Sequence, residues 1–306
     1  MKLLRASGEG TLNEQIKALE EIFRSKPRPT TWTERRERMD EVCAIDPVST
    51  SIALEPISIG AIPAEWSLAP GSDAGRVLMF LHGGGYCSGS IKSHRTMATG
   101  VGRAAGVRTL AVGYRLAPEH PFPAGLDDAL SAYRFLRAEG YAAENIAIGG
   151  DSAGGGMTLA CLLSLRAAGE ALPACAWLAS PWVDLDMTGE SLTTKAAVDP
   201  LIQRDYLQGL AAAYLGGNDP RNPLISPLHA DLKGLPPILV QVGSSETLLD
   251  DAVRISRALG VADVPVTLEI WPEMIHAWPL WSARLDDGAR ATEHVGAFLR
   301  HHFSKN

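Results

Sequence analysis

The 306-residue sequence contains no Cys-x-x-Cys pair, no internal repeat and no low-complexity tract. Its four cysteines, Cys43, Cys87, Cys161 and Cys175, are scattered, and a chain of this length needs no disulfide to hold a core. Cys161, within an apolar helix, reads as a small buried thiol. No uninterrupted apolar segment reaches the length required to cross a bilayer. The opening Met1-Lys2-Leu3-Leu4-Arg5 is basic but lacks the apolar stretch of a secretory signal, so a cytoplasmic, reduced protein is expected. Strong basic charge is absent too. The formal net charge is −7, which argues against nucleic acid or an anionic membrane as partner. The arginine run Arg35-Arg36-Glu37-Arg38 is broken by an acid and reads as a solvated helix face.

What remains is ordinary soluble-enzyme composition, 46% hydrophobic and 21% charged, with apolar strand-like runs alternating with helix-like ones. Strands are expected at Ser51–Ile59, Ala64–Leu68, Arg76–Leu81, Val107–Val112, Asn145–Ile148, Cys175–Ala179, Pro237–Val242 and Val264–Trp271. Helices are expected at Leu126–Glu139, Gly156–Ala168, Leu248–Leu259 and Asp286–His301. Such alternation implies a mostly parallel sheet with helices on both faces. Residues 1–44 and 183–222 do not alternate. They contain the helical stretches Leu12–Ser25, Thr33–Val42 and Asp205–Leu215, with a rigid break at Pro27-Arg28-Pro29-Thr30-Thr31.

The chemistry begins at Gly150-Asp151-Ser152-Ala153-Gly154, between the strand Asn145–Gly149 and a Leu- and Ala-rich helix. A serine at a tight strand-to-helix turn needs small neighbours, because the backbone there is strained and crowded. Its hydroxyl then stands above the sheet with the helix N-terminus directed toward it, which suits a nucleophile. Upstream, the strand Arg76–Leu81 runs into His82-Gly83-Gly84-Gly85-Tyr86. Three glycines let main chain approach a reacting carbonyl, so the amides of Gly84 and Gly85, with that of Ala153, can form an oxyanion hole.

These motifs, in this order, resemble the hormone-sensitive lipase family of α/β-hydrolases, in particular its bacterial esterases. Tyr114-Arg115-Leu116-Ala117-Pro118-Glu119-His120-Pro121-Phe122-Pro123-Ala124 and Ser180-Pro181-Trp182 strengthen the likeness, which runs from about Val48 to His302. The resemblance implies an α/β-hydrolase fold in one domain, with a core over about 45–182 and 223–306. It implies a helical cap from about 1–44 and 183–222, where specificity would reside. Trp182, Met187, Leu207 and Tyr214 are candidates to line the substrate pocket or to pack the cap itself.

In this fold the chain order is serine, acid, histidine. His82, His94 and His120 come too early, His229 follows the Ser226-Pro227 turn, and His294, His301 and His302 belong to a polar terminal helix. His276 remains, in a loop after the strand Val264–Trp271, where such sheets carry their chemistry. The family usually shows His-x-Phe here, and this chain has Trp278. For the acid, the family's Asp-Pro-Leu-x-Asp aligns with Glu246-Thr247-Leu248-Leu249-Asp250, which puts Glu246 at the catalytic position. Asp250 is the rival, Asp251 the next, although carboxylates in a first helical turn are also ordinary. By the same resemblance Asp151 and Glu119 support loops, Glu119 reaching toward the glycine loop. Asp184-Leu185-Asp186 reads as solvent-facing acids, without the companions a metal site needs.

The expectation is therefore a serine carboxylesterase acting through an acyl-enzyme on short- to medium-chain esters, with lactones allowed. It needs no cofactor and no metal, its partner is a small-molecule ester, and a homodimer is allowed. An amidase or deacetylase with the same triad, an acyltransferase, and a non-catalytic ligand-binding member of the fold stay open as alternatives.

Overall fold

The computed structural model describes residues 12–303. The parts of the cap and signal expectations that fall on residues 1–11 lie outside it. Its centre is one eight-stranded sheet in the order β1-β2-β4-β3-β5-β6-β7-β8. The hairpin of β1 (Ala53–Ile59) and β2 (Ile62–Leu68) runs antiparallel at one edge. β2 is also antiparallel to β4 (Val107–Val112), and every other pair is parallel. The parallel strands are β3 (Asp73–Leu81), β4, β5 (Ile146–Asp151), β6 (Cys175–Ala179), β7 (Ile238–Gly243) and β8 (Val266–Trp271). β5, β6 and β7 are buried along their whole length, as continuous apolar strands covered on both faces should be.

Two hydrophobic clusters, one on each face, fill the space under the helices. One face carries α4 (Ala124–Ala138), α5 (Ala153–Ala167) and α8 (Leu249–Val261); the other carries α3 (Ile91–Ala105) and α9 (Asp286–Phe303). The remaining helices are α1 (Leu12–Arg24) and α2 (Trp32–Cys43) before the sheet, and α6 (Ser191–Thr194) and α7 (Arg204–Leu215) between β6 and β7.

The expected strands and helices all form, with ends displaced by a few residues. The sequence reading missed the short α6 and, more consequentially, the 15-residue helix α3. Its interior holds Thr96, Thr99, Gly100 and Gly102, all weak helix formers. A capping box at Ser90 and Ser93 starts it and Gly106, at φ +69°, ends it. Gly102 is required by packing, since a Cβ there would strike the Thr109 hydroxyl of β4. Among the described residues no helix is long and apolar enough to cross a membrane.

Candidate active site

Ser152 sits between the end of β5 and the first turn of α5 with φ +52° and ψ −120°. That strained conformation is held from several sides. Its amide donates to the Ala179 carbonyl at 2.8 Å, and its own carbonyl accepts from Gly155, Gly156 and Trp182. The glycines beside it are steric necessities. A Cβ on Gly150 would collide with the Leu81 carbonyl and the Gly154 backbone, and one on Gly154 with the Leu81 and His82 carbonyls. A strand and a helix thus meet at van der Waals distance behind a serine that faces open space.

His276 and Glu246 come from the loops after β8 and β7. Positive φ at Glu273 (+63°) and Ala277 (+51°) folds the first loop back over the sheet end. The two loops touch: the Ser245 amide donates to the Met274 carbonyl at 3.0 Å. His276 Nδ1 lies 2.8 Å from Glu246 Oε2, with both side chains buried. A carboxylate can only accept, so the proton of that bond belongs to Nδ1 and the neutral ring keeps Nε2 as an acceptor. Glu246 Oε1 accepts from the Gly243 amide at 2.6 Å and from the Ser180 hydroxyl at 2.7 Å. Burial by itself favours the uncharged imidazole. The Glu246 hydrogen bond and charge, helped by Asp199 and Asp151, outweigh it and raise His276 above its ordinary value.

Asp250 and Asp251 are engaged elsewhere. Asp250 accepts from the Ser191 amide at 2.8 Å, fastening α6, and Asp251 accepts from the amides of Val183 and Asp184. Burial, countered in part by those amides, pushes Asp251 up to about 7.

The glycine loop turns through Gly84 (φ +112°), Gly85 (φ +62°) and Tyr86 (φ +62°). A Cβ on Gly84 would run into the Ser88 carbonyl, and one on Gly85 into Leu210 of α7. The loop is braced from behind. Asp151 Oδ1 accepts from the Gly83 amide at 2.9 Å and Oδ2 lies 3.2 Å from His94 Nε2. The His82 ring stacks on Tyr114 at 4.2 Å, and burial followed by the neighbouring His94 lowers His82 to about 3. Among the described residues the amides of Gly84, Gly85 and Ala153 have no hydrogen-bond acceptor.

Ser152, His276, Gly84 and Gly85 all line one cleft of about 390 Å3. Its other walls come from the α1–α2 segment (Arg35, Met39) and the α6–α7 segment (Ile202, Tyr206, Leu207). Of the four candidate pocket residues, Leu207 lines the cleft. Trp182 and Tyr214 are packing groups, Tyr214 stacked on Tyr86 at 3.8 Å, and Met187 packs against the core.

Three expectations need correction. The arginine run of α2 is not a solvated face. Arg36 donates to the carbonyls of Cys87 and Ala117, Arg38 to those of Ile22 and Phe23, and Arg35 turns into the cleft. Glu119 does not reach the glycine loop itself. It pairs with Arg36 at 2.6 Å, and Arg36 makes the contact with the loop's end at Cys87. Asp184 is fully buried, bonded to Thr188 and paired with Arg254 at 2.8 Å, whereas Asp186 is exposed as expected. Charge alone does not tell an exposed side chain from one with a buried partner far away in the chain. Ser180 is the residue the sequence reading left without a task. Its signal was the strand-end Ser-Pro, but nothing local points to a carboxylate 66 positions away.

Known proteins resemble this chain in sequence and in fold. A family model described as the alpha/beta hydrolase fold matches residues 78–280. An acetyl-hydrolase from Streptomyces hygroscopicus is 48% identical over 244 residues, covering 80% of this chain and 81% of that protein. A crystallised esterase of the bacterial hormone-sensitive lipase family superposes with a TM-score of 0.92 at 45% identity, over 95% of this chain and 98% of that one. EstE5, whose crystals were soaked with p-nitrophenyl butyrate, gives 0.91 at 40% identity, over 95% and 99%. The chain belongs to the α/β-hydrolase fold family and, within it, to the hormone-sensitive lipase family.

Proposed function

We propose that the protein is a serine carboxylic ester hydrolase in which Ser152 is the nucleophile, His276 the base and Glu246 the acid that orients it. The observation that carries this reading is the 2.8 Å bond from His276 Nδ1 to Glu246, in a ring that shares a cleft with Ser152. An unaided serine hydroxyl is too weakly acidic to attack an ester. Nε2 of His276 takes its proton as the Oγ–carbonyl bond forms, and Glu246 stabilises the resulting imidazolium. The tetrahedral oxyanion is received by the amides of Gly84, Gly85 and Ala153, each such donor contributing about 2.7–4 kcal/mol in comparable sites. The alcohol departs with the proton from Nε2, leaving the acyl group on Ser152. Water, deprotonated by the same nitrogen, attacks that ester and releases the carboxylic acid.

The α1–α2 and α6–α7 segments act as a cap that gives the cleft its walls, and a cavity of about 390 Å3 suits short to medium acyl groups. A relative named acetyl-hydrolase favours the short end. The four cysteines, all buried free thiols, support the cytoplasm as compartment.

The test is a chain-length series of p-nitrophenyl esters beside matching amides and lactones. The expected result is turnover of short acyl esters, and none by Ser152→Ala at unchanged folding. An organophosphate should add one phosphonyl group to the peptide carrying Ser152. Substantial turnover by the alanine variant would hand the nucleophile's role to another residue, and faster cleavage of amides than esters would make the enzyme an amidase.

A further inference from the structure

The basic residues that line the cleft are not all held in the same way. Lys26 pairs with Glu41 at 2.7 Å, and Arg38 is tied to two backbone carbonyls and to that same Glu41. Arg28 is exposed. Arg35 differs. Its guanidinium lies against the Trp32 ring at 5.1 Å and the Tyr206 ring at 5.2 Å, one from each segment that walls the cleft. The Tyr206 hydroxyl also interacts with this guanidinium, but among the described residues no carboxylate pairs with it, and its Nη1 is shut off from solvent without a hydrogen-bond partner. Ring faces hold a cation but do not satisfy its N–H groups, and a buried charged donor left unmatched is costly.

The lining as a whole carries the same message. Four basic side chains, Lys26, Arg28, Arg35 and Arg38, face two acidic ones, Asp151 and Asp205. Asp151 is already committed to the Gly83 amide and His94, while Asp205 is exposed. Glu41, just behind the lining, pairs with both Lys26 and Arg38, so four cations meet three carboxylates and one positive charge is left over, on the wall that carries Arg35.

We propose that Arg35 is a specificity residue that receives a carboxylate on the substrate, so that the preferred esters carry a second, ionised carboxyl group. Half-esters of short dicarboxylic acids have this chemistry. A guanidinium held between two rings still has N–H groups with which to meet a carboxylate through paired bonds. The carboxylate takes no part in bond breaking. It fixes the acyl chain while the ester carbonyl meets Ser152, so the inference rests on the ester-hydrolase reading above.

Monoethyl glutarate and ethyl valerate share a five-carbon acyl chain and differ in one charged end. Their kcat/KM values should be compared in the wild type, Arg35→Gln and Arg35→Lys by acid release. The ratio of anionic to neutral ester is expected to fall about tenfold or more in Arg35→Gln, chiefly through KM, and less in Arg35→Lys. Added salt should lower the wild-type ratio as well, which keeps the test alive if Arg35→Gln does not fold. A parallel loss on both esters, or a ratio untouched by substitution and salt, would reduce Arg35 to packing between Trp32 and Tyr206. Calorimetric binding of the two esters to Ser152→Ala, with and without Arg35→Gln, separates the two readings. Weaker binding of the half-ester in the double variant supports Arg35 even if no ester is turned over, and equal binding overturns it.

Discussion

The Ser180 hydroxyl donates to Glu246 Oε1 at 2.7 Å and accepts from the Ala277 amide at 3.0 Å, joining the ends of β6, β7 and β8 beneath His276. One oxygen therefore sets both the carboxylate and the backbone next to the imidazole. Its own backbone is in the left-handed region, at φ +46°. Ser180→Ala leaves the Ala277 amide buried without its acceptor, at a cost of about 1–3 kcal/mol. Lower thermal stability together with a fall in kcat is the expected outcome, checked by melting curves and ester turnover.

Glu246 and Asp250 can be told apart by isosteric amides. Glu246→Gln removes the charge that stabilises the imidazolium, and because the Gly243 amide and the Ser180 hydroxyl hold its oxygen at the Oε1 position it turns an NH2 rather than an acceptor toward Nδ1, so kcat should drop by about 10³–10⁴. Asp250→Asn keeps an oxygen for the Ser191 amide and touches nothing beside His276, so about a twofold change is expected. Steady-state kinetics on one chromogenic ester decides the order. A reversed order would move the acid's role to Asp250.

The pH profile follows from the same pair. As the proposed base, His276 must be neutral, so kcat/KM is expected to rise as it loses its proton and to be lost as pH falls below that point. Because Glu246 raises the imidazole, the midpoint should lie above the ordinary histidine value of 6.5. In the residual activity of Glu246→Gln the midpoint should move down, since burial then acts without its main opponent. A midpoint that stays in place would disconnect Glu246 from the titrating group.

Arg36 ties α2 to the glycine loop through the carbonyls of Cys87 and Ala117 and to Glu119 through an ion pair. The ion pair is about half exposed on the Glu119 side, so Glu119→Gln should change little. Arg36→Gln also strips two carbonyls of their donors, and a loss of about 1 kcal/mol would lower Tm by about 2–4 °C in a domain of this size. KM should rise with it, because the loosened helix walls the cleft. Paired melting curves and KM values for the two variants test the ranking.

Much of the site is written locally. Gly150, Gly154 and the His82–Gly85 run announce themselves because strain and close approach admit few residue types there, and each follows a strand. His276, the proposed base, could be reached by its place after β8. Glu246 needed the family's spacing, since a carboxylate near a strand end is otherwise commonplace. Helix α3 was hidden because Gly102 and Gly100 serve close approach to β4 and α9, while Thr96 and Thr99 spend their hydroxyls on the Asp46 carbonyl and on the helix's own carbonyls rather than favouring the helix.

The alternating pattern of apolar runs by itself determined the α/β architecture, because burying a parallel sheet on both faces leaves few other ways to satisfy its backbone. Tertiary structure alone decided which charges turn inward. Arg35, Arg36, Asp184 and Ser180 look like surface residues in sequence, and their partners lie tens to hundreds of positions away or on another wall of the cleft. A charge's surroundings are set by folding, and no local pattern encodes the distance to its counter-group.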